Sequence, residues 1–120
     1  MSVSIRLMIF SGRPDPRFDL PEDVIEGLAT RVTQTIGVDM VPAPPDIALG
    51  YRGVEVENVG GHAGLPREFS VFRGVLTEQS GETARHWRDA GAVEQFLLDQ
   101  ARNSGLGDLL AAAGLDGGVA

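Results

Sequence analysis

Tyr51-Arg52-Gly53-Val54-Glu55-Val56-Glu57-Asn58-Val59 and Phe69-Ser70-Val71-Phe72-Arg73-Gly74-Val75-Leu76-Thr77 are the two stretches that decide the fold. Both read as β-strands, with the alternation of a half-buried strand clear in Val54-Glu55-Val56-Glu57. Gly60-Gly61-His62-Ala63-Gly64-Leu65-Pro66-Arg67-Glu68 is all that joins them, too short for a helical crossover, so the pair predicts an antiparallel hairpin. Nine residues exceed the usual two to five of a hairpin loop, so this loop either has a role or is mobile. Gly53 and Gly74 fall inside the strands, where they predict a bulge or the close approach of another backbone.

Downstream, Gln79-Ser80-Gly81-Glu82 predicts a turn and Thr83–Trp87 a short edge strand. Asp89 then caps a second helix whose apolar stripe is Val93, Phe96, Leu97 and Ala101, and Asn103-Ser104-Gly105 stops it. A last short helix spans 106–113 before Gly114, and the tail 115–120 is expected to be disordered. Upstream, residues 3–10 set Val3, Ile5, Leu7 and Ile9 on one strand face against Ser4, Arg6, Met8 and Phe10 on the other. Val24, Ile25, Leu28, Val32 and Ile36 recur at helical spacing, which predicts a helix over 20–36. It would be opened by an Asp19/Glu22 capping box and closed by Gly37. Pro42, Pro44 and Pro45 make 38–50 a crossing loop. The order is β-α-β-β-(β)-α-α: an α+β fold in one domain, residues 1–114, with a small, mainly antiparallel sheet and helices packed on one face.

Composition narrows the function. At 120 residues and 42% hydrophobic the chain has enough apolar material for one core, far from the composition of disordered proteins. Net charge is −7, and the ten basic residues, all Arg, are scattered, which argues against nucleic acid as a partner. Arg in place of Lys reads either as coding bias or as selection for bidentate recognition of carboxylate or phosphate. The absence of cysteine excludes disulfides, thiolate catalysis and cysteine-held metal. Neither a signal peptide nor a run of about 20 apolar residues is present, so no membrane association is expected and the expected location is the cytoplasm.

The candidate site residues are Arg13, Asp15, Arg17, Arg52, His62 and Arg67. Arg13, Asp15 and Arg17 belong to a loop rich in proline just ahead of a helix start, where guanidinium groups and the helix end suit an anion. The plain alternative is an Arg13–Asp15 pair that stiffens the turn. His62 lies among glycines and suits a general base only if other groups converge on it. His86 is too far along the chain to form a local metal motif with His62, and no metal or cofactor is expected. Glu55 and Glu57 share a strand face, with Glu78 conceivably opposite, against the alternative of a merely solvated face. Neither a G-x-S-x-G nucleophile nor a phosphate-binding glycine loop occurs.

Phe10-Ser11-Gly12-Arg13-Pro14-Asp15-Pro16, followed by a helix, resembles a segment of small uncharacterised bacterial proteins that carry F-S-G-R-P-[ND]-P. A Tyr-Arg-Gly strand and an Arg-Asp-capped final helix with paired leucines recur there, matching Tyr51-Arg52-Gly53 and Arg88-Asp89 through Leu97-Leu98. The resemblance spans most of residues 5–101, supports the fold and transfers no catalytic residue. The expected function is that of a small acidic, non-catalytic binding or accessory protein that engages an anionic small molecule or a protein partner through the Arg13 and His62 loops. Two alternatives are a cofactor-free isomerase or cyclase with a His or Glu base, and a homodimeric interaction module built on an uncovered sheet face.

Overall fold

The structure, a computed structural model, describes residues 2–9, 15–44 and 51–112. The expected Arg13, the segment 45–50 and the tail 115–120 lie outside the described residues. Among the described residues six strands form one open sheet: β1 (Ser4–Leu7), β2 (Arg17–Asp19), β3 (Val54–Glu57), β4 (Glu68–Phe72), β5 (Val75–Ser80) and β6 (Thr83–Arg88). Their spatial order is β2-β1-β3-β4-β5-β6, and every neighbouring pair is antiparallel. Helix α1 (Glu22–Thr33) follows β2, and α2 (Val93–Ala101) is separated from α3 (Gly107–Ala112) by the turn Arg102–Leu106, kinked at Gly105, whose φ is 90°.

The register aligns Leu7, Val54, Val71, Leu76 and Trp87 across five strands, all buried on one face. Ile25, Leu28 and Val32 of α1, Leu97 and Leu98 of α2 and Leu110 of α3 join them in one core, so the helices cover that face as expected. On the opposite face the row Arg17, Arg6, Glu55, Ser70, Thr77 and His86 is polar throughout. No helix among the described residues is long and apolar enough to cross a membrane.

The structure departs from the sequence reading at several points, among them the end of α1, which stops at Thr33 with Gln34 as its cap rather than at 36 before Gly37. Residues 17–19 form a strand, and the ladder runs on to Leu20, whose amide donates to the Val3 carbonyl at 2.9 Å. Asp19 is therefore held in the sheet. The helix starts at Glu22 behind Pro21 without a side-chain cap, and the proline's fixed φ of −58° sets the first turn. The stretch 69–77 is not one strand but two. Arg73 and Gly74, at φ 49° and 80°, make the two-residue turn with both central residues left-handed that matches the twist of a hairpin. Finally, β6 is only partly an edge. Met40 bridges to Trp87, with Val41 N donating to the His86 carbonyl at 3.0 Å and Arg88 N to the Asp39 carbonyl at 2.8 Å.

Other expectations hold. The Asp89 carboxylate accepts from the Val93 and Glu94 amides at 2.7 and 2.9 Å and so caps α2. Gly53 meets the predicted close approach: at φ 110° its Cα lies so near β4 that a Cβ there would stand 2.5 Å from the Val71 carbonyl oxygen.

Candidate functional site

Four of the candidate residues, Asp15 and Arg52 against His62 and Arg67, separate into two groups at opposite ends of β3. Asp15 and Arg52 meet at the end where β3 begins. Asp15 accepts from the Ile9 amide at 3.1 Å through Oδ1 and pairs with the Arg52 guanidinium at 3.3 Å through Oδ2. That carboxylate ties the loop after β1 to the residues that lead into β3. Arg17 lies in β2 opposite Arg6 on the polar face of the sheet, exposed.

Beside Arg52, Tyr51 enters a buried polar network that sequence spacing does not reveal. Its hydroxyl donates to Glu94 Oε2 at 2.5 Å, and its ring packs edge-on against Phe72 with centroids 5.6 Å apart. Glu94 is 2% exposed, yet its carboxylate is well supplied: it also accepts from the Gly74 amide at 3.0 Å and the Arg73 amide at 3.3 Å. One side chain of α2 thus holds the β4–β5 turn and the approach to β3 together. Burial first, then the adjacent Glu94 charge and its hydrogen bond, with Asp89 adding, push the Tyr51 hydroxyl far above the usual phenol range.

His62 and Arg67 belong to the opposite end, roughly 20 Å from Arg52 at about 3.3 Å per strand residue. Here the long loop is neither loose nor irregular. Asn58, 6% exposed, sits at its root and donates through Nδ2 to the His62 and Leu65 carbonyls at 2.9 and 3.2 Å. Its Oδ1 accepts from the His62 amide at 2.9 Å. An Asn side chain that satisfies three backbone groups takes the place of a further strand pair and fixes the loop's path. Leu65 anchors the far side in the core.

The His62 ring completes the clamp. Its Nδ1 faces the Gly64 amide at 3.1 Å, and because an amide can only donate, Nδ1 is the acceptor. In the neutral ring Nε2 then carries the hydrogen and donates to Glu26 of α1 at 3.0 Å. Both nitrogens are therefore engaged, and the ring fastens the loop to α1. Between this loop and the ends of β3 and β4 lies a cavity of about 580 Å³, lined among others by Glu57, Asn58, His62, Leu65, Arg67 and Glu68.

Glu57 and Glu68 stand directly opposite each other in the β3–β4 register. Glu78, by contrast, is not on their face: it is paired in register with buried Phe69. It accepts from Arg85 at 2.9 Å and from the Trp87 indole at 3.3 Å. His86 Nδ1 lies 2.9 Å from the Thr77 hydroxyl on the polar face, far from His62. Among the described residues no three His, Asp or Glu side chains gather closely enough to hold a metal ion.

No family model, curated protein or solved structure matches the chain.

Proposed function

We propose that the protein is a small non-catalytic binding or accessory protein of the cytoplasm, and that the cavity at the end of the β3–β4 hairpin is its ligand site, with Arg67 holding a carboxylate of the ligand. The observation that carries this reading is the construction of the cavity. Its loop is fixed from within by Asn58 and fastened to α1 by His62, so the walls are in place before any ligand arrives. Preorganised walls spare a ligand the ordering cost that a mobile loop would impose. At about 580 Å³ the cavity is also within the range of ordinary small-molecule sites, roughly 300–1,000 Å³.

The engagement of both His62 nitrogens favours binding over a reaction that uses His62 as base, since neither nitrogen has a free lone pair aimed into the cavity. The test is a titration of the 15N-labelled protein with small carboxylates, followed by amide shifts. Saturable shifts confined to residues 57–68, abolished by Arg67→Ala, are expected. Shifts that cluster at Asp15 and Arg52 instead, or none anywhere, would overturn the reading.

A further inference from the structure

Three of the residues that line the cavity carry full charge: Arg67 one positive, Glu57 and Glu68 two negative. Elsewhere on the same sheet several charges are paired, Arg6 with Glu55 at 2.8 Å, Arg85 with Glu78 at 2.9 Å and Arg88 with Asp39 at 2.8 Å. At the cavity they are not. Among the described residues, neither carboxylate nor the Arg67 guanidinium lies within 4.0 Å of an opposite charge. Moreover, Glu57 faces Glu68 across the ladder, an arrangement in which like charges oppose folding.

This charge pattern selects among anions. A dianion such as phosphate would find one guanidinium and two carboxylates, a net repulsive wall. A ligand that carries an ammonium as well as a carboxylate reverses the balance: its ammonium relieves the Glu57–Glu68 repulsion, and its carboxylate takes the planar fork of Arg67. Val59, Ala63 and buried Leu65 also line the cavity and supply apolar wall, a surface for an aliphatic side chain. We infer that the ligand is a zwitterion of the amino-acid class, with its ammonium read by Glu57 and Glu68 and its carboxylate by Arg67. The inference rests on the reading of this cavity as the ligand site.

Three probes separate the charges: L-leucine carries both, N-acetyl-L-leucine only the carboxylate, and L-leucinamide only the ammonium. Each is titrated by calorimetry and by amide shifts, with 6-aminohexanoate as a second zwitterion of wider charge spacing. The expected result is that at least one zwitterion binds about tenfold more tightly than either single-charge probe. The double variant Glu57→Gln/Glu68→Gln should reduce that zwitterion to the affinity of N-acetyl-leucine, and Arg67→Gln should weaken both. If N-acetyl-leucine matches the zwitterions at residues 57–68, the ligand site stands and the zwitterion inference falls. If no carboxylate-bearing probe shifts residues 57–68, both fall. Circular dichroism of each variant confirms that lost binding is not lost folding.

Discussion

The Tyr51 hydroxyl and the Glu94 carboxylate, 43 residues apart in sequence, meet at 2.5 Å between the start of the central strand β3 and the first turn of α2. Tyr51 is the chain's single tyrosine, so phenolate absorbance reports this one contact without interference. In the unfolded chain the phenol titrates near its ordinary value of about 10, whereas in the fold burial and Glu94 hold it well above that. A raised folded value means that the contribution is fully present below about pH 10 and declines as pH rises past that point, because the unfolded state then binds fewer protons. Thermal unfolding followed from pH 8 to 11.5 should show falling stability above about pH 10, with the phenolate signal appearing together with unfolding. Tyr51→Phe should flatten that slope. A phenolate that appears near pH 10 in the folded protein would show that the contact does not persist in solution.

Glu94 is the more costly partner to lose. It accepts from the Tyr51 hydroxyl and from the Gly74 and Arg73 amides, and its own amide is held by Asp89. Glu94→Leu would keep the volume and strand those donors, at a cost of about 2–4 kcal/mol. Glu94→Gln keeps an acceptor oxygen and should cost distinctly less. Urea midpoints of the two variants check the order, and equal loss would show that packing rather than hydrogen bonding sets the role of this position.

What the sequence made legible follows the range of its signals. Alternation over 51–59 and the stripe Val93, Leu97, Ala101 are local, and both mark elements that form. The turn at Arg73-Gly74 was hidden because apolar residues flank it closely, Val71-Phe72 before and Val75-Leu76 after, and Arg-Gly lacks the turn signal that Asn-Gly would carry. Arg17–Asp19 is too short to show a period; only its pairing with Ser4–Arg6 makes it a strand. The length of the loop 60–68 singled it out, and Asn58, two residues before Gly60-Gly61, was the overlooked sign of how it is fixed. Convergence was beyond reach. Arg52 and His62 are ten residues apart, and β3 between them carries one to each end of the sheet.

Asn58→Ala tests whether the loop is held from within. The change removes three hydrogen bonds to the His62 and Leu65 backbone at a buried position, which should cost about 2–3 kcal/mol. The loss should be local before it is global: amide exchange at Gly60–Leu65 rises by orders of magnitude under native conditions, while the strands Val54–Glu57 and Phe69–Phe72 keep their protection. Ligand affinity should fall with loop order. Unchanged exchange at 60–65 would mean that Leu65 and the His62–Glu26 tie suffice alone.

The opposed carboxylates lead to a prediction with the opposite sign. Glu57 and Glu68 face each other across the ladder and pair with no cation among the described residues, so neutralising either one removes repulsion without losing a contact. Glu57→Gln or Glu68→Gln should each stabilise the fold by about 0.2–1 kcal/mol, more at low ionic strength than at high, where salt already screens the pair. The double variant should gain little over the better single one, because the repulsion vanishes when the first charge goes; that non-additivity distinguishes a paired effect from two independent surface effects. Thermal midpoints of the two single variants and the double, at about 20 mM and about 500 mM salt, give the answer directly. If the gains simply add and do not respond to salt, the two glutamates do not sense each other, and the charge frustration that the cavity would offer a zwitterion is absent.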